Sequence, residues 1–207
     1  MITIVDYGVG NIASLVNMFE YLGCSTQLAV DPAGIASATH LVLPGVGAFD
    51  RAVRSLAERG LPDAIRYAAK ERGIPILGVC LGMQLLGKSS AEGETRGLGL
   101  IDAGTQRLEA KPGLKVPHIG WVPVVPTGNS PLFRPVQKPE RFYFVHSYHM
   151  VCANQEDVAA TAEYGSAITV AVSCGNVHGV QFHPEKSHRF GMRLLRSFAD
   201  ISPCARA

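Results

Sequence analysis

The chain has 207 residues, 47% of them hydrophobic and 17% charged, with 19 lysines and arginines against 17 aspartates and glutamates. This composition specifies one folded domain over residues 1–207 with a sizeable core, argues against disorder, and leaves no basic footprint for nucleic acid or anionic lipid. Five scattered cysteines (Cys24, Cys80, Cys152, Cys174 and Cys204) form no CxxC pair, so no disulfide framework or metal centre is expected.

The N-terminus lacks a basic segment followed by an apolar stretch, and no apolar run reaches the roughly 18 residues of a membrane span. A soluble protein of a reducing compartment, the cytoplasm, is the expectation. In the first half, short β-branched or leucine-rich runs at Ile2 to Val5, Thr26 to Val30, Leu41 to Leu43 and Pro75 to Val79 alternate with helical patterns at Ile12 to Leu22, Phe49 to Ala57, Leu61 to Arg72 and Leu81 to Gly87. That alternation predicts βαβ units and a mainly parallel sheet.

Beyond about Gly97 the pattern becomes short extended pieces broken by proline and glycine. Leu98 to Ile101, Lys115 to His118, Val122 to Val125, Phe142 to Val145, Ala167 to Val172 and Val177 to Phe182 read as mixed or antiparallel strands. Met192, Leu195, Phe198 and Ile201 recur at helical spacing and predict a closing helix over Gly191 to Ile201.

The apolar strand ending in Gly78-Val79-Cys80-Leu81-Gly82 runs directly into a helical pattern. A sharp strand-to-helix turn holds its central residue in a strained conformation and needs small neighbours, which Gly78 and Gly82 supply. Cys80 is thereby a candidate nucleophile at the carboxyl edge of the sheet, where the positive end of the helix dipole favours the thiolate. Leu81 offers a backbone N–H to a developing oxyanion, and Gln84, four residues on, shares the helix face of Cys80. The alternative, a cysteine acting as a small buried hydrophobe, is the reading given to Cys24, Cys152, Cys174 and Cys204.

A base is offered by Phe182-His183-Pro184-Glu185-Lys186. Pro184 drives His183 out of the helical region. Residues two apart on an extended segment share a side, so Glu185 can hold the imidazole of His183. His40, His149, His178 and His188 are read as packed or solvated side chains.

Two further segments can shape a substrate pocket. Pro44-Gly45-Val46-Gly47 follows a predicted strand and lacks the lysine and Ser/Thr of a Walker loop; it is either a backbone cradle for an oxyanion and substrate or a plain βα turn. The aromatic strand Phe142 to Val145 ends in His146, Ser147 and Tyr148, polar groups suited to the head of an amino acid.

Together the elbow Gly-Val-Cys-Leu-Gly-Met-Gln, the loop Pro-Gly-Val-Gly-Ala-Phe and the segment Phe-His-Pro-Glu resemble the class I, triad-type glutamine amidotransferases. Within that family, Asp6 to Asn11, Pro117-His118-Ile119-Gly120-Trp121, Val145 to Tyr148 and His183 to Ser187 are similar to the glutaminase subunits of imidazole glycerol phosphate synthases. The resemblance implies a three-layer, flavodoxin-like α/β fold with a mixed, mostly parallel sheet and added antiparallel strands. It implies a glutaminase without metal or cofactor that hydrolyses glutamine through a Cys80 thioester. Ammonia would pass to a separate (β/α)8-barrel cyclase of histidine biosynthesis that forms imidazole glycerol phosphate and the aminoimidazole carboxamide ribotide AICAR.

By the same resemblance His183 is the base and Glu185 its orienter. Gly47, Gln84, His146, Ser147 and Tyr148 contact substrate, Val46 or Gly47 complements Leu81 in the oxyanion hole, and Asn11, Trp121 and Lys186 face the cyclase. Val122 stands where the family usually has asparagine, in the expected interface region. Alternatives from the residues alone are a stand-alone thiol hydrolase or peptidase, a non-catalytic relative, and a paralogue feeding another synthase.

Overall fold

The structure, a computed structural model, describes residues 1–128, 130–135 and 138–203. Cys204 lies outside the described residues. In the first half, strands β1 (Ile2–Val5), β2 (Thr26–Ala29), β3 (His40–Gly45) and β4 (Ile76–Cys80) form where short apolar runs are found. Between them lie helices α1 (Ile12–Tyr21), α2 (Pro32–Ala36), α3 (Phe49–Glu58), α4 (Leu61–Lys70) and, after β4, α5 (Leu81–Leu86). Helix α2 escaped the sequence pattern because it is a single short turn. Its signal was local: Asp31 caps it by accepting from the Gly34 N–H at 2.9 Å, and Pro32 occupies the first position.

The second half carries β5 (Ser89–Ser90), β6 (Ala103–Arg107), β7 (His118–Pro126), β8 (Glu140–His146), β9 (Tyr148–Cys152), β10 (Val158–Glu163), β11 (Ala167–Cys174), β12 (Val177–Val180) and helix α6 (His188–Ala199). Leu98 to Ile101, expected as a strand, is not one. Leu98 N–H donates to Leu85 O and Leu100 N–H to Leu86 O, both at 2.8 Å, so the segment satisfies carbonyls at the end of α5 instead of joining a ladder. The pieces predicted at Lys115 to His118 and Val122 to Val125 merge into one strand that begins only at His118, after Pro117, which has no N–H to give. The closing helix starts three residues earlier than its apolar spacing suggested.

Among the described residues the sheet runs β2-β1-β3-β4-β12-β11-β10-β7-β8, with β9, β6 and β5 branching from β11. From β2 through β12 the strands are parallel, and the pairs from β12 to β8 are antiparallel. Because strand residues alternate faces, Val5, Leu41, Leu43 and Ile76 pack with Phe49, Leu56, Ile65 and Met83 of α3, α4 and α5. Ile4, Val42, Leu77 and Val79 pack on the other face with Leu15, Phe19, Leu194 and Phe198 of α1 and α6. The result is a three-layer α/β fold with helices on both sides of a mostly parallel sheet. No described helix is long and apolar enough to cross a membrane.

Candidate active site

Strand β4 passes into α5 with no residue between them, and Cys80 absorbs the whole change of direction at φ 55° and ψ −110°. A non-glycine residue in that region is strained and persists only when its surroundings hold it there. The flanking glycines show how: a Cβ on Gly78 would sit 2.6 Å from Gly82 O, and one on Gly82 only 1.8 Å from Leu43 O. The turn therefore closes only around hydrogen atoms. With six residues, α5 is less than two turns long, so the helix dipole expected at Cys80 is smaller than that of a full-length helix.

Strand β12 lies beside β4 in parallel register, Val180 opposite Val79, which brings the residues after β12 to the thiol. His183 is extended, at φ −101° and ψ 97°, and its N–H donates to Tyr143 O at 2.9 Å. The next three residues, Pro184–Lys186, form a 3-10 turn rather than continuing the extended run. His183 and Glu185 thus meet for a different reason from strand alternation: the turn folds Glu185 back, and His183 Nδ1 lies 2.8 Å from Glu185 Oε1. The Ser187 hydroxyl locks the turn, donating to His183 O at 2.7 Å and accepting from Tyr143 N–H at 3.0 Å.

Both side chains of the pair are nearly inaccessible, 3% and 2% exposed. Burial works against a charged ring, yet the Cys80 sulfur and the Glu185 carboxylate outweigh it and hold His183 up at about 9. With Nδ1 committed to Glu185, Nε2 is the nitrogen free to exchange a proton; it is buried and has no hydrogen-bond partner among the described residues. The arrangement sets an imidazole, backed by a carboxylate, beside the thiol of Cys80.

These groups open on a cavity of about 300 Å³ lined by Cys80, Leu81, Gln84, Val46, Gly47, His146, Ser147, Tyr148, His183 and Lys186. The residues marked from the sequence as catalytic, oxyanion-forming or substrate-binding line this one space, except Glu185, which is buried against His183 outside its lining. Pro117, Val145 and Glu92 complete the wall, and Glu92 also accepts from Phe49 N–H at 3.0 Å at the start of α3.

The rings and amides behind the wall are less free than the sequence suggested. His146 places Nδ1 2.8 Å from Tyr148 O and Nε2 3.1 Å from His118 Nδ1, so both ring nitrogens are engaged inside the protein. Gln84 donates through Nε2 to Gln181 Oε1 at 3.0 Å and to Tyr148 O at 3.4 Å. Its Oε1 is the atom left for a ligand.

Two buried residues of the site were missed in the sequence. Gln181 donates to Cys80 Sγ at 3.6 Å, and a polar residue interrupting the apolar run two places before His183 was its signal. Tyr7, just after β1, donates to Pro44 O at 2.6 Å at the end of β3; burial and the nearby Cys80 raise its phenol.

Of the residues expected at the partner surface, Trp121 and Lys186 come together on Tyr143. The Trp121 ring meets Tyr143 edge-on at 5.9 Å and stacks on His188 at 5.4 Å, while Lys186 Nζ stands 5.9 Å from the Tyr143 ring centre. Asn11 heads α1 and accepts from the Ser14 hydroxyl at 2.9 Å. Val122, paired with Phe142, is half-buried against the apolar cluster under α1 and α6, so valine suits that position by its core contacts. Cys152 and Cys174 are half-buried free thiols, both pushed up to about 11 by burial.

A family model for class-I glutamine amidotransferases matches residues 3–201. The imidazole glycerol phosphate synthase subunit HisH 2 of Pseudomonas aeruginosa is 44% identical over 201 residues, spanning 97% of this chain and 100% of the relative. Subunit HisH of Moorella thermoacetica is 45% identical over 201 residues, 97% of this chain and 94% of its own. Among solved structures, PurLQS of Thermotoga maritima superposes with a TM-score of 0.73 at 20% identity over 96% of this chain and 97% of that chain, a likeness of fold. Matched over nearly its whole length, the chain belongs to the class-I glutamine amidotransferases, a family of glutaminase enzymes, and within it groups with proteins named HisH.

Proposed function

We propose that the chain, a single domain of residues 1–207, is the glutaminase subunit of an imidazole glycerol phosphate synthase. In this role it supplies ammonia in the cytoplasm to a (β/α)8-barrel cyclase partner that forms imidazole glycerol phosphate and AICAR in histidine biosynthesis. The names of its relatives support the subunit and the pathway. The observation that carries the chemistry is the single cavity in which Cys80, His183 and the polar residues Gln84, Ser147 and Tyr148 face one another.

Glutamine enters with its side-chain carbonyl between the Leu81 N–H and that of Val46 or Gly47, and its amino-acid head toward Ser147 and Tyr148. The Cys80 sulfur attacks the amide carbon while His183 holds the thiol proton. The carbon–nitrogen bond then breaks, and the leaving nitrogen takes the proton from His183 Nε2, giving ammonia and a glutamyl thioester. Water attacks the thioester, His183 accepts its proton, and the carbon–sulfur bond breaks to release glutamate. Glu185 keeps the ring in the tautomer that presents Nε2 and balances its charge. Asn11, Trp121 and Lys186 face the cyclase.

Cys80→Ala in the assembled complex tests this. Glutamine-dependent synthesis should vanish while synthesis from added ammonium persists, and a glutamine-analogue electrophile should label the parent at Cys80 alone. Hydrolysis of peptides by the isolated chain without any glutaminase activity, or no adduct in the complex, would remove the assignment.

A further inference from the structure

Cys80 has unlike neighbours on its two sides. On β3 its register partner is Gly45, which has no side chain of its own and where a Cβ would lie 2.9 Å from both Leu81 Cβ and the Tyr7 hydroxyl. On the other side the pairing of Val180 with Val79 carries the next residue, Gln181, alongside Cys80. Gln181 is fully buried, with 0% exposure, and its side-chain Nε2 lies 3.6 Å from Sγ.

Which end of that amide faces the sulfur follows from the network around it. Tyr148 O can only accept, so Gln84 turns Nε2 toward it at 3.4 Å. The same nitrogen lies 3.0 Å from the Gln181 side chain, which must answer with Oε1 and leave Nε2 for the sulfur. Reversing Gln84 would set two acceptors face to face, and reversing Gln181 would set two donors together and an oxygen against a thiolate. A backbone carbonyl two side chains away thus dictates that an N–H, and not a lone pair, meets the nucleophile.

We propose that Gln181 is a further catalytic residue, a fixed hydrogen-bond donor to the reacting sulfur that stabilises the Cys80 thiolate before attack and again when the thioester carbon–sulfur bond breaks and its electron pair returns to sulfur. The proposal rests on the reading of Cys80 as nucleophile. No proton leaves Gln181 in either step, so its contribution persists when His183 has given its proton to the departing ammonia. Buried hydrogen bonds to charged groups are strong, and the donor is already oriented at no cost during reaction.

Gln181→Met keeps the length and removes the donor; Gln181→Glu keeps the acceptor for Gln84 and also removes the N–H. In the isolated chain, iodoacetamide modification of Cys80, followed peptide by peptide by mass spectrometry, should reach half its maximal rate at a pH higher by about one unit in both variants. In the complex, kcat for glutamine should fall about tenfold while KM moves less than about threefold. A folded variant whose alkylation profile superimposes on the parent's overturns the proposal.

Should neither variant fold, the unaltered protein decides. The Gln181 side-chain NH2 resonances should move as Cys80 titrates and shift on its alkylation; resonances indifferent to both overturn the proposal equally. A parent complex that forms no ammonia from glutamine would remove the glutaminase reading and leave the alkylation comparison standing.

Discussion

His118 donates to His146, and a third residue decides the direction. Tyr148 O faces His146 Nδ1 at 2.8 Å and can only accept, so His146 carries its proton there. Its Nε2 is then a lone pair, and the proton between the rings, 3.1 Å apart, sits on His118 Nδ1. Burial pulls His146 down to about 4, and His118 is lowered for the same reason. Nitrogen NMR should find both rings neutral, each protonated at Nδ1, with no titration of His146 between pH 5 and 8.

Stability should be highest near neutrality and fall on both sides. His146 and His178 are held at about 4 by burial, below an ordinary 6.5, so the unfolded chain takes up protons first. Their contribution is full above 6.5 and is lost as pH falls toward 4, up to about 3 kcal/mol each. His183 is raised to about 9, so its contribution is full below 6.5 and is lost as pH rises through 9. Melting temperature against pH should show both arms, with His178→Gln flattening the acid one and His183→Gln the alkaline one. Arms that survive these substitutions unchanged would contradict the assignment.

Gly82→Ala should be among the most disruptive single methyl additions in the chain. Its Cβ would meet Leu43 O at 1.8 Å, backbone against backbone, with no flexible group to yield. A loss above about 3 kcal/mol in denaturant titration, or failure to fold, is expected. Gly175→Ala, with nothing within 4 Å of the added carbon but a φ of +57°, should cost only about 1 kcal/mol.

Glu185→Gln preserves shape and removes charge. His183 should titrate lower than in the parent, and kcat for glutamine in the complex should drop by about 10²-fold or more. An unchanged kcat would show that the carboxylate only packs beside the ring.

Lys186 lines the cavity yet is exposed. Lys186→Ala should leave glutamine hydrolysis in the complex running while less of the ammonia reaches product. A ratio of ammonia formed to product formed equal to the parent's would make it an ordinary solvated lysine.

The legible parts of this protein were those in which one local rule decided the outcome. The run Ile76 to Cys80 had the length and apolarity of a buried strand, and two glycines flanking a cysteine at its end pointed to a tight turn, which the structure places at Cys80. Strands β5, β6 and β10 were not legible, because Ser89–Ser90, Ala103–Arg107 and the alanines of Val158–Glu163 have weak strand preference and extend only because partners are there to bond them. The pairing of His183 with Glu185 was foreseen, but through strand alternation where a 3-10 turn does the work. Gln181 was hidden for a related reason: its meaning depends on β12 lying beside β4, a neighbour relation absent from its own segment.

That same adjacency sets an order of events during synthesis. Cys80 lies on β4 and His183 just beyond β12, strands side by side in space and more than a hundred residues apart along the chain. A growing polypeptide displays its thiol long before the imidazole is made, and β12 is seated between β4 and β11 only when the last quarter has left the ribosome. A chain stopped short of β12 would carry Cys80 without His183 beside it, so the proposed pair comes together only when the sheet is complete.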